Sequence, residues 1–102
     1  MDEDNRLALE RGRGAQARAV LESKIYQEAI EAVENNIVER WKTAPIADEQ
    51  GMMALRLKWQ CMQEIKGYLT NVMQTGVLAD QTITEKRSMA ERARRAVANF
   101  RR

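Results

Sequence analysis

Thr43-Ala44-Pro45-Ile46-Ala47-Asp48 holds the only proline of the chain, and it divides two runs of the same period. Proline lacks an amide donor and its ring clashes with the preceding turn, so a helix must stop there. Upstream, Tyr26, Ile30, Val33, Ile37 and Trp41 recur at intervals of four, three, four and four, widened by Ala29 and Val38. Glu28, Glu31, Glu34 and Glu39 fall largely outside that stripe, the pattern of an amphipathic helix. Downstream, Asp48 is a natural N-cap, with Glu49 well placed against the helix dipole. Leu55, Trp59, Met62, Ile65, Leu69 and Val72 then follow at heptad-like intervals, flanked by Met52, Tyr68 and Met73. Gly76, just beyond Gln74-Thr75, reads as a C-terminal cap. That makes the second helix about 27 residues and roughly 40 Å long. Two such helices around a short proline turn predict an antiparallel hairpin over 15–43 and 48–75.

Working outward, Thr82-Ile83-Thr84-Glu85 has the spacing of a capping box and predicts a basic C-terminal helix over about 82–101. Its apolar positions are Ile83, Ala90, Ala93, Val97 and Phe100. At the other end, Arg6 to Leu21 is rich in helix formers, but Gly12 and Gly14 each cost about 1 kcal/mol relative to alanine. The first helix therefore either starts near Asn5 and frays at the glycines or starts near Ala15. Small residues there also allow a second backbone to approach closely. No run reads as a strand. The expectation is a single all-α domain over 1–102, in which 1–14 is either frayed or part of the first helix, and 82–102 either lies along the hairpin as a third layer or projects from it.

A chain of 102 residues is one domain with a thin core. Aromatic residues are only 5%, and much of the 44% hydrophobic content is alanine, which buries little area. A homo-oligomer is therefore expected. Tyr26, Ile30, Trp41, Trp59, Met62 and Leu69, on the two apolar stripes, are the residues expected to carry self-association, because aromatic anchors dominate such interfaces.

The formal charge of +2 hides a segregation. Residues 86–102 carry Lys86, Arg87, Arg92, Arg94, Arg95, Arg101 and Arg102 against Glu91 alone, a net +6. Residues 25–85 hold five basic and nine acidic side chains, a net −4, and 1–24 balance at zero. An acidic body with a basic end predicts docking on an acidic protein surface, with Arg87, Arg92, Arg94, Arg95, Arg101 and Arg102 making the contact. Nucleic acid is the alternative partner, bound through phosphates with steep salt dependence. Arg11-Gly12-Arg13-Gly14 is a single copy of an Arg/Gly tract and reads instead as a flexible start or kink of the first helix.

Histidine is absent and Cys61 is the only cysteine, so neither Cys/His zinc sites nor Ser/His or Cys/His nucleophilic pairs can be assembled. Glu28, Glu31 and Glu34 are spaced as helical neighbours but lack the Glu-x-x-His pairs of di-iron bundles, and read as a solvated face. The expectation is no catalysis, no cofactor, no metal and no small-molecule substrate. Cys61 should be an inert, partly buried thiol. Met1-Asp2-Glu3-Asp4 lacks the apolar core of a signal peptide, and no window approaches a membrane span. That predicts a protein not secreted through a signal peptide and not held in a membrane.

Arg11-Gly12-Arg13 with Ala15 and Ala17, then Leu21, Tyr26-Gln27-Glu28-Ala29 and Trp41-Lys42-Thr43, carry a resemblance over residues 11–79. They are similar to the short, mostly uncharacterised helical proteins encoded among the head and packaging genes of tailed bacteriophages. The resemblance transfers no functional residue. It implies a setting: a non-catalytic structural or assembly protein, in the host cytoplasm or associated with the virion. The alternatives within that setting are a nucleic-acid-binding accessory factor of DNA packaging and a phage inhibitor of a host protein.

Overall fold

The computed structural model describes residues 2–100, and among these every regular element is helical. Helix α1 spans Glu3–Glu22, α2 spans Lys24–Thr43 and α3 spans Glu49–Phe100. Contacts group into two units, Met1–Gln16 with Val72–Arg102, and Ala17–Asn71. The all-α class is as expected, while several helix ends are not.

Asp48 caps α3 as predicted: its Oδ1 accepts a hydrogen bond from the Gly51 amide at 2.9 Å, and its carbonyl accepts from Met52. The break at Pro45 also holds, because α2 ends at Thr43 and Ala44 is extended. An additional break falls at Ser23, inside the segment expected to be one helix over 15–43. Ser23 has φ −63° and ψ 128°, and its hydroxyl accepts the Tyr26 amide at 3.4 Å. Gln27 Nε2 donates to the Leu21 carbonyl at 3.1 Å across the same break. A serine hydroxyl offers the backbone an alternative partner, and here that partner starts a new helix.

Helix α1 runs through both glycines from Glu3, so 1–14 is not frayed over its described residues. The expected stop at Gly76 and restart at Thr82 are likewise corrected, since α3 continues through both. No glycine has positive φ, the conformation a C-terminal glycine cap needs. Thr82 Oγ1 donates instead to the Leu78 carbonyl at 3.0 Å, and Thr84 Oγ1 to Asp80 at 2.9 Å. These are mid-helix hydroxyls bonding back one turn, not caps. The basic segment is therefore the last part of α3 rather than a separate helix.

In the first unit the reason α3 continues is visible. Gly14 and Gly76 are both buried and meet backbone to backbone: a Cβ built on Gly14 would sit 2.6 Å from Gly76 Cα. Leu7 and Ala79 are buried in the same unit. Arg11 pairs with Asp80 at 3.9 Å, and Lys86 reaches Asp4 at 3.1 Å and Glu3 at 3.4 Å. The close approach expected of the small residues near Gly14 is made, and its partner is Gly76. The hydrogen bond to Asp4 raises the Lys86 pKa, desolvation opposes it, and Glu3 adds to the rise. A raised lysine pKa stabilises the fold at every pH below the ordinary lysine range, and that contribution fades only as pH climbs through the raised value.

In the second unit Ile37, Leu55 and Met62 are buried, with Tyr26, Ile30 and Leu69 half-buried. Glu34 pairs with Lys66 at 3.3 Å in a half-buried position, so it is not part of a solvated face. The Tyr26 hydroxyl is buried with no hydrogen-bond partner among the described residues. A buried hydroxyl without a partner costs desolvation energy, so Tyr26→Phe should leave stability unchanged or raise it by up to about 1 kcal/mol. Urea denaturation followed by circular dichroism checks this, and a clear loss of stability would mean that the hydroxyl is bonded in solution.

Candidate functional site

Two surfaces stand out, and each is built from the ends of helices already described. The first lies around the proline turn of the second unit. The last turns of α2 bring Val38 and Trp41, and the first turns of α3 bring Met52, Met53 and Trp59. With Ile46 from the turn they line an apolar groove of about 620 Å³. Glu49 and Arg56 supply the charged side chains among its walls. The turn is held by the Asp48 cap, by the Asp48 amide donating to the Pro45 carbonyl at 3.0 Å, and by Thr43 Oγ1 donating to the Glu39 carbonyl at 3.0 Å. A fixed turn presents Ile46 almost wholly to solvent, with Trp41 58% and Trp59 40% exposed.

Of the six residues expected to carry self-association, this surface brings together only Trp41 and Trp59. Met62 is buried within the chain, and Tyr26, Ile30 and Leu69 are half-buried there. Ile65, expected on the buried seam, is exposed and lies with Cys61, Tyr68 and Leu69 along a second, shallower groove. Cys61 is exposed rather than partly buried, because it sits one position before Met62 on the turn away from α2. Sequence reading missed Ile46 and Met53. Their signal was weak, since a lone apolar residue after a proline and a second methionine in a row do not add to a periodic stripe.

The second surface is the end of α3. Every residue from Glu91 to Phe100 is exposed, including Ala93, Val97 and Phe100. Arg87, Arg92, Arg94 and Arg95 are exposed with them. Arg101 and Arg102 lie outside the described residues. The heptad frame that buries Leu55, Met62 and Gly76 continues on the same register through Ile83, Ala90 and Val97. Intrachain cover ends, while the seam does not.

Among the described residues, no three His, Cys, Asp or Glu side chains are grouped to hold a metal ion, and no helix is long and apolar enough to cross a membrane. Fold and surfaces together define an all-helical protein with a groove of aromatic and methionine side chains and an uncovered basic seam. Comparison with protein-family models, curated proteins and solved structures finds no match to this chain.

Proposed function

We propose that the protein is a non-catalytic, self-associating assembly protein of the phage type, in the host cytoplasm or on the virion, whose working unit is an antiparallel helical hairpin. Its copies join through the Trp41–Trp59 groove, and its basic end docks on an acidic partner. The order of contacts supports the hairpin: Glu34 meets Lys66, while Trp41, further along α2, shares a groove with Trp59, earlier on α3. The phage setting is supported by the sequence resemblance alone.

One observation carries the self-association. Among the described residues seventeen large hydrophobic side chains are exposed, while only four, Leu7, Ile37, Leu55 and Met62, are buried. Trp41, Ile46, Met53 and Trp59 of the groove are among the exposed ones, an apolar patch of the kind that marks an interaction surface.

Quenching of tryptophan fluorescence by acrylamide tests the reading. Access to the tryptophans should fall as protein concentration rises, at high salt as at low salt, because apolar contacts are not screened. Access that stays the same at every concentration would overturn it. Duplex DNA of unrelated sequence should keep its free mobility in the presence of the protein at low salt. Salt-sensitive retardation that disappears on removing 86–102 would replace this reading with the nucleic-acid accessory.

A further inference from the structure

The basic end of α3 has a complement on the same chain. Residues 86–100 carry Lys86, Arg87, Arg92, Arg94 and Arg95 against Glu91, a net +4. Residues 25–39 of α2 carry Glu28, Glu31, Glu34 and Glu39 and no basic side chain, a net −4 over the same length of about 22 Å. Each segment also has an exposed face of small and apolar residues. On α3 these are Ala90, Ala93 and Val97; on α2 they are Ile25, Ala29 and Ala32, with Asn36 next in line at helical spacing. Glu28 and Glu39, three turns apart, border the α2 face, as Arg87 and Arg94, two turns apart, border the α3 face. Lys86 is already held by Glu3 and Asp4, Glu34 by Lys66 and Glu39 by its neighbour Lys42 on an exposed turn. A further contact therefore falls to Arg87, Arg92, Arg94 and Arg95 on one side and to Glu28, Glu31 and the exposed Glu39 on the other.

We propose that residues 86–100 of one copy lie along the Ile25–Glu39 face of α2 in a second copy. This names the acidic partner and rests on the self-association reading above. Elsewhere α3 follows the same rule: a basic side chain bordering its seam meets a carboxylate of the helix packed against it, as Lys66 meets Glu34 and Lys86 meets Glu3 and Asp4. Two copies of the basic end do not suit each other, since the same four arginines would face one another. Small residues on both faces let the two helices approach closely. The contact joins two different surfaces, so it propagates from copy to copy and ends in a ring or an open chain.

Charge exchange tests this directly by sedimentation velocity at low salt. One variant carries Arg87→Glu, Arg92→Glu, Arg94→Glu and Arg95→Glu; the other carries Glu28→Arg, Glu31→Arg and Glu39→Arg. Circular dichroism confirms that each remains helical. Alone, each variant should lose the salt-sensitive part of its association, about ten- to a hundredfold in apparent affinity. Mixing the two variants should restore it, because each supplies the surface the other now fits. Association untouched by either reversal, or lost in both and not restored by mixing, overturns the proposal. In both of those cases the salt-resistant association through the groove remains and keeps the broader reading. Loss of that salt-resistant association in the unaltered protein would defeat the broader reading instead.

Discussion

Gly14→Ala and Gly76→Ala should each lower stability by about 1–2 kcal/mol, although alanine is the better helix former. A Cβ on Gly14 would lie 2.6 Å from Gly76 Cα and 3.2 Å from the Val72 carbonyl oxygen. A Cβ on Gly76 would lie 2.6 Å from Gly14 Cα and 3.0 Å from the Glu10 carbonyl oxygen. All are backbone atoms of the facing helix, so no side chain can swing aside. The helices must separate instead, and overpacking of this kind costs about 1–3 kcal/mol. The gain from helix propensity is about 1 kcal/mol and does not offset it.

Gly12 and Gly67 are the controls, because a Cβ there meets nothing within 4 Å. Gly12→Ala and Gly67→Ala should raise stability by about 0.5–1 kcal/mol. The double variant at 14 and 76 should cost less than the sum of its singles, since the first methyl already moves the helices apart. Thermal unfolding of the four single variants, followed by circular dichroism, decides the matter. Stabilisation by alanine at 14 or 76 would mean that the two backbones do not meet.

Trp41→Ser with Trp59→Ser should weaken self-association at least a hundredfold, the loss expected when the central aromatic anchors of an interface are removed. Both side chains present a large part of their surface to solvent, at 58% and 40%, so the helices should keep most of their content. Leu9→Ser removes an equally exposed apolar residue far along the sequence from the proline turn and should change association little. Sedimentation of the variants over a range of concentrations reads the difference. Equal effects of the tryptophan and Leu9 changes would mean that association is not centred on the groove.

How much of this was legible in the residues depended on the range of the signal. Asp48 and Pro45 act through atoms within a few positions of themselves, and both ends of that turn are where local chemistry places them. Gly76 and Thr82-Ile83-Thr84-Glu85 are equally plausible local signals, yet neither stops the helix. Their meaning is set by the chain opposite: Gly14 faces Gly76, and Arg11 and Glu3–Asp4 hold Asp80 and Lys86 on either side of Thr82. A residue's neighbours in sequence cannot reveal that another backbone passes at contact distance.

Ser23 was the reverse case, a local signal hidden by the apolar periodicity around it. The hydroxyl decides the backbone there, even though the helix formers up to Leu21 and the apolar stripe from Tyr26 onward read as one helix. Among the site residues, the stripes on α2 and α3 picked out Trp41 and Trp59 but also Met62, which the chain itself buries. Period identifies an apolar face. It does not say which part of that face is left over once the chain has packed on itself.

The central claim is that one copy leaves an apolar surface that a second copy covers. Sedimentation equilibrium at high salt tests it most directly, because screening there removes the contribution of the basic end. The account predicts a mass that is a multiple of 11.7 kDa and falls toward a single copy only on dilution. A mass of one copy at every concentration would contradict it.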